Sequence, residues 1–357
     1  MLTDTLIIGG GLAGLSLAAS LEAKGQTYLV LDARTRFGGR IRSDAVDRER
    51  FDLGPAWFWP GQPRIAALID KLGLEKFEQY ADGDLTFEDE RGSVQRGQGF
   101  ASMQGSYRLK GGLSSLISAL QSLLPENLLR LATKVVALDA RADHILAITQ
   151  NGESLMARRV VLALPPRLAA EQIAFTPPLP EAAVSAMSGI ATWMAGQAKA
   201  VAVYDDPFWR KSGLSGDAMS RLGPMVEVHD ASPEERGPYA LFGFIGVAPD
   251  DRRDEKLLRK AVIAQLVRLF GPDAAAPKTL LIKDWAFDPL TATALDLQPQ
   301  YSHPRYGLPE AMTDLWDDRL LFGGTEVASQ FGGYLEGALE ASKNVVHKIL
   351  REAQVDA

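Results

Sequence analysis

Six residues near the start, Gly9-Gly10-Gly11-Leu12-Ala13-Gly14, carry the first chemistry that the sequence offers. Their GxGxxG spacing suits a phosphate ligand. Gly9 permits a tight turn, Gly11 lets a pyrophosphate come close to the backbone, and Gly14 lets a following helix pack closely on a strand. The first turn of that helix, which contains Ala13, offers unpaired N–H groups and the positive end of its dipole. Asp32 follows Gly14 by 18 residues (32 − 14), where a carboxylate can accept from a ribose diol. These residues together predict dinucleotide binding.

A second motif, Arg34-Thr35-Arg36-Phe37-Gly38-Gly39-Arg40, comes directly after. Gly38 and Gly39 give another close approach of backbone to ligand. Arg34 and Arg40 flank them, and Arg40 can neutralise a pyrophosphate. A nicotinamide dehydrogenase has no need of this block, so it points to FAD.

The elements that must position these groups follow from periodicity. Residues 4–8 read as a buried strand, 12–24 as a helix with Leu12, Leu15, Leu17, Ala18 and Leu21 inward, and 27–32 as a second buried strand. This is a βαβ unit, hence a parallel sheet covered on both faces. Residues 61–72 and 112–124 predict helices. Residues 128–164 alternate as short strands, with a tight turn at Asn151-Gly152 and a stop at Pro165-Pro166. From 167 to 280 the texture changes: prolines cluster, strands are expected at 197–204 and 239–247, and a helix at 253–270. That helix shows Leu257, Leu258, Ala261, Leu266 and Phe270 inward and stops at Gly271. A strand at 319–324 and a helix at 333–352 close the chain. The fold class expected is α/β: a discontinuous Rossmann-like FAD-binding domain (1–75, 108–166 and 283–357) with an inserted smaller α+β substrate domain (76–107 and 167–282).

The bulk numbers agree with an enzyme of this class. A chain of 357 residues exceeds what one core usually supports. A net charge of −7 argues against nucleic acid and against an anionic membrane surface as partner. The chain has no cysteine, which excludes disulfides, thiolate catalysis and cysteinyl-flavin links. No metal-ligand cluster is recognised, and none is expected. No secretory signal or spanning segment is recognised, so a cytoplasmic protein is expected. His229 and His303 lack partners at a catalytic or metal spacing and are read as structural or exposed. Trp57, Phe58 and Trp59 form a cluster that can line a substrate cavity or pack a core.

Several blocks, in order, give the chain a wider likeness. Residues 31–43 (LDARTRFGGRIRS), 51–62 (FDLGPAWFWPGQ), Gly111-Gly112-Leu113, Thr133-Lys134-Val135-Val136, 160–166 (VVLALPP), 284–289 (DWAFDP) and above all 323–338 (GGTEVASQFGGYLEGA) resemble the flavin-containing amine oxidase family, whose members include the monoamine oxidases. The resemblance spans most of the chain. It implies that Gly54, Pro55, Ala56 and Trp57 lie beside the flavin and that Val135 meets the adenine. It implies that Gly324, Glu326 and the Gly333-Tyr334-Leu335 segment serve FAD, with Tyr334 over the flavin face. Gly332 and Gly333 precede a helix whose N-terminus can steady negative charge on the reduced ring. The family's lysine that holds a water near flavin N5 is matched to Lys283. Lys283 and Tyr334 are therefore the expected catalytic residues.

The chain also departs from the family. A second aromatic residue often faces the first, but Leu295 stands there, preceded by Ala294 where some members attach the flavin through cysteine. FAD should therefore be non-covalent, and Tyr301 or Tyr306 is the candidate to fill the gap. The implied reaction is hydride transfer from an amine C–N carbon to flavin N5, with reoxidation by dioxygen to hydrogen peroxide. Relatives on the same fold desaturate carotenoid precursors or oxidise porphyrinogens, and an accessory flavoprotein acting on a partner protein is a third reading.

Overall fold

The computed structural model describes residues 2–298, 300 and 302–355. The strand Leu2–Ile8, buried along its last four residues, lies in parallel between Tyr28–Leu31 and Ser154–Leu162. The helix Leu12–Glu22 makes the crossover between the first two. A parallel pair needs such a crossover, because a short turn cannot return the chain to the same end of the sheet. Leu129–Arg130 extends the sheet beside Tyr28–Leu31. On the far side Ile145–Thr149, Val135–Ala140 and Ala174–Thr176 follow in turn. Ser154–Leu162 is long enough to share one edge between two neighbours. Its first half pairs antiparallel with Ile145–Thr149, and its second half pairs in parallel with Leu320–Phe322.

Apolar layers cover both faces. On one face Leu15, Leu21, Ile65, Leu116 and Leu339 bring the helices Leu12–Glu22, Pro63–Lys71, Ser114–Gln121 and Leu335–Val355 onto the sheet. On the other, Ala169, Ala183 and Met187 pack beneath Leu138, Ile145 and Val160. This is a mixed α/β architecture with a Rossmann-like nucleus, as the sequence predicts.

A second sheet has the order Thr279–Asp284, Ala198–Tyr204, Tyr239–Ile245, Met225–Asp230, Leu214–Ser220, Asp84–Glu88 and Val94–Arg96. The helix Glu255–Phe270 covers one face. Ala198, Ala200, Ala202 and Tyr204 point to that helix. The alternate residues Val201 and Val203 point the other way, toward Phe51, Leu53 and Trp57. Lys199 has the same parity as those valines, so the strand turns its one charge away from the helix.

Some expected elements shift. The helix expected at 112–124 begins at Ser114, because Gly111 and Gly112 take φ of +76° and +72°. The last helix starts at Leu335, after Gly333 at φ +83°. Leu257, expected inward, is 63% exposed; the buried stripe of its helix runs through Leu258, Val262, Leu266 and Leu269.

Candidate functional site

A single elongated cavity of about 570 Å³ runs from the opening glycines, past the start of the last helix, to the second sheet. Its first end is built by two glycine turns clamped together. Gly9 takes φ +111°, Gly38 +104° and Gly39 +56°. Gly38 N–H donates to the Gly10 carbonyl at 2.8 Å, and Gly11 and Gly38 form a bridge. Arg36 fixes the second turn by donating to the carbonyls of Phe37, Gly39 and Ile41. Gly14 stands behind the wall, where a methyl group would lie 1.9 Å from the Gly9 carbonyl oxygen. Gly11 has no such neighbour: the nearest atom to an added methyl is 3.9 Å away, on Gly38. The space beside Gly11 is therefore open to a ligand.

Asp32 is buried and accepts from the amides of Gly10 (2.9 Å) and Arg34 (2.8 Å). Burial raises its pKa, and those two amides hold part of the rise back. Arg34 lines the cavity, but its guanidinium is engaged with Asp288 at 2.8 and 3.1 Å and with Thr291 at 2.8 Å. Arg40 reaches Glu326 at 2.6 Å. Glu326 is fully buried, and neither carboxylate oxygen receives a well-aligned hydrogen bond among the described residues. Its partner is the Arg40 guanidinium, which lines the cavity whereas Glu326 does not.

Most expected cofactor residues meet on this one surface. Gly9, Gly11, Ala13, Asp32, Arg34, Gly38, Gly39 and Arg40 line it, as do Gly54, Pro55, Ala56 and Trp57. Val135, Gly324, Gly333, Tyr334 and Leu335 complete the set.

The expected catalytic lysine does not meet the others on this surface. Lys283 is not on the cavity wall; its Nζ pairs with Asp288 at 2.7 Å. Two lysines line the cavity: Lys134, next to Val135, and Lys199, the residue opposite Lys283 on the neighbouring strand of the second sheet. The Nζ of Lys199 donates to the Gly54 carbonyl and lies 4.8 to 5.8 Å from the rings of Phe242, Phe244 and Trp57. Burial lowers its pKa to about 7, against the pull of the nearby Asp52 carboxylate. The sequence did carry a signal for it: one lysine inside the apolar run AKAVAVY.

The aromatic wall also differs from expectation. Leu295 is exposed and away from the cavity, and Tyr306 donates its hydroxyl to the Ala191 carbonyl at 2.8 Å. Tyr301 lies outside the described residues. Tyr334 is joined instead by Trp59, edge-on at 6.4 Å and 88°, and by Trp193, which also lines the cavity. His303 stacks on Tyr334 at 5.1 Å and packs on Trp193 at 4.6 Å. Of the 57–59 cluster, Trp57 and Trp59 face the cavity and Phe58 packs on Tyr107 in the core. His229 has partners that spacing hid: Asp217 at 2.7 Å and Glu227 at 3.2 Å.

Among the described residues no helix is long and apolar enough to cross a membrane. A family model described as flavin containing amine oxidoreductase matches residues 82–350, and a NAD(P)-binding Rossmann-like model matches residues 7–72. The probable flavin-containing monoamine oxidase A of Dictyostelium discoideum is 24% identical, with 98% of each chain covered. The putrescine oxidase of Kocuria rosea is 24% identical, over 82% of this chain and 84% of that one. A solved putrescine oxidase with putrescine bound superposes with a TM-score of 0.82 at 20% identity, covering 98% of this chain and 99% of that one. A cyclohexylamine oxidase from Brevibacterium oxydans gives 0.83 at 19%, covering 99% of each.

Proposed function

Since the chain belongs to the flavin-containing amine oxidoreductase family, we propose that it takes a hydride from the carbon beside a neutral amine and passes the electrons to dioxygen. The cofactor is FAD, and a chain without cysteine holds it without a thioether bond. The donor set fits that group: two glycine turns with open space at Gly11, an acid at Asp32, and the Arg40 guanidinium on the wall, held by the buried Glu326. Bound FAD supplies the redox step itself, accepting hydride and reducing dioxygen to hydrogen peroxide.

The residues of the chain do the rest. Asp32 holds the ribose, Gly11 and Gly39 admit the pyrophosphate, Arg40 offsets its charge, and the Val135 backbone meets the adenine. Trp57, Trp59, Trp193 and Tyr334 exclude water and orient the amine with its carbon toward the ring. Lys199, with a pKa near 7, changes protonation under working conditions. As the amine it accepts the proton of an incoming ammonium; as the ammonium it steadies negative charge that forms on oxygen. The oxidised product is an iminium, which water converts to a carbonyl compound and ammonia or a smaller amine. In this reading residues 1–75, 108–190 and the stretch after Asp284 hold the cofactor, and 76–107 and 191–284 shape the substrate end, because Ala174–Thr176 and the helices around it belong with the first sheet and Thr279–Asp284 pairs within the second.

One observation carries the proposal: a single cavity joins the glycine clamp to an aromatic wall and a desolvated lysine. The test is an absorbance scan of the purified protein, followed by a panel of amines with peroxide detection. A yellow protein that makes peroxide with amines is expected. A flavin-loaded protein that none of them reduces overturns the proposal.

A further inference from the structure

Three neighbouring strands of the second sheet lay out a charged row across the cavity. Lys199 stands opposite Phe244, and Phe244 stands opposite Glu227. Directly opposed residues put their side chains on the same face, and all three line the cavity. Strands lie about 4.8 Å apart, so the backbones of Lys199 and Glu227 are about 10 Å apart.

Glu227 is on that face because of a local irregularity. The register shifts between Met225 and Glu227. Met225 packs toward the helix Glu255–Phe270, as does Val228. Regular alternation from Met225 would send Glu227 toward the helix as well. The extra residue at Val226 turns it to the cavity instead, which is how bulges re-aim side chains beside functional sites.

The carboxylate is held in place. Ser102 donates to Oε1 of Glu227, and Nε2 of His229 lies 3.2 Å from the same oxygen. His229 is fixed on its other side by Asp217, itself buried. No lysine or arginine pairs with Glu227 among the described residues. Burial disfavours the charged forms, yet the contacts with Asp217 and Glu227 raise the pKa of His229, and those with His229 and Ser102 lower that of Glu227. Two carboxylates around one imidazole leave the trio with net negative charge in either protonation state of His229, in a mostly desolvated place, and such a place favours a cation.

We propose that Glu227 is a recognition carboxylate for a second, non-reacting cationic group of the substrate, with His229 and Asp217 as its positioning residues. The preferred substrates are then diamines, or amines with another basic centre at the far end of a short apolar chain. Phe244 lies between the reacting end and the anchored end and faces that chain. The proposal rests on the amine oxidase reading above and sharpens it.

The experiment compares straight-chain α,ω-diamines of three to seven carbons with n-alkylamines of equal length on the FAD-loaded enzyme. Diamines should show at least about tenfold higher kcat/KM, mainly through KM. In Glu227→Gln that ratio should collapse toward one, and in His229→Gln it should fall part of the way. Retained flavin colour and circular dichroism verify the fold of each variant. Calorimetric titration with a non-oxidisable bis-quaternary alkane against its mono-quaternary analogue gives a second readout. Tighter binding of the dication, lost in Glu227→Gln, supports the anchor even if no amine were oxidised, an outcome that would sink only the broader reading. Equal kcat/KM for both series, or a ratio unmoved by Glu227→Gln, overturns the proposal, as does equal binding of the two quaternary ions.

Discussion

Lys199 shows how much one side chain depends on its surroundings. In water its ammonium would keep its proton to about pH 10.5; in the cavity, burial lowers that to about 7. Lys199→Met should therefore slow reoxidation of the reduced enzyme by dioxygen by about 10² or more, the usual loss for one preorganised charge. Lys283→Met, whose ammonium is paired with Asp288 off the cavity, should leave reoxidation within about twofold; stopped-flow absorbance compares the two. The same shift predicts a stability effect. Because the folded pKa lies below the unfolded one, the unfolded chain binds more protons between about pH 7 and 10.5. The buried lysine therefore costs stability in full below about pH 7, and the cost is gone above about 10.5. Lys199→Met should raise the stability of the apoprotein by on the order of a few kcal/mol at pH 6 and by much less at pH 10, read by denaturant unfolding. A midpoint difference equal at both pH values would contradict this.

At the scale of elements, the two glycine turns separate folding from ligand binding. Gly14→Ala forces a methyl to within 1.9 Å of the Gly9 carbonyl, so the helix Leu12–Glu22 must lift from the sheet. That variant should unfold several degrees lower and come out pale. Gly11→Val meets open space and a φ of −75°, which any residue adopts. It should fold as the parent does yet lose FAD affinity by at least about tenfold, because its side chain takes the place of the pyrophosphate; flavin fluorescence titration against circular dichroism separates the two effects. These turns were legible in the sequence because glycines at fixed spacing state a backbone requirement locally. The second sheet was less so. Which lysine of the second sheet faces the cavity depends on the pairing of Lys199 with Lys283 and Phe244, 84 and 45 residues apart in sequence (283 − 199 and 244 − 199). The aim of Glu227 depends on a bulge, and the partners of His229 lie on its own and a neighbouring strand. Neither a period of two nor a motif reports such facts. Tyr334 was legible because its glycine-flanked block is short and contiguous, while its aromatic neighbours Trp59 and Trp193 come from distant segments.

At the scale of the whole molecule, Asp288 ties the two sheets together. It takes the fork of Arg34, just beyond the second strand of the larger sheet, and the ammonium of Lys283 from the edge strand of the other. Burial works against its charge, but Arg34 and Lys283 prevail and hold its pKa at about 2. With the folded value below the unfolded 3.8, this contribution is complete above about pH 4 and is lost as pH falls toward 2. The shift corresponds to about 2 kcal/mol, and screening by solvent is limited because Arg34, Lys283 and Asp288 are all largely buried. Asp288→Asn should lower stability by about that amount at pH 7, and the gap should close near pH 2; thermal melts across that range measure it. The cavity described above has a further bearing on the life of the protein. A hollow lined by backbone turns and aromatic faces, and left without its ring system, is a standing weakness between the two sheets, and a ligand that fills it stabilises the native state in proportion to its free concentration. Cells starved of riboflavin should therefore degrade this chain faster than replete cells, and its half-life in a pulse-chase would serve as a gauge of vitamin supply.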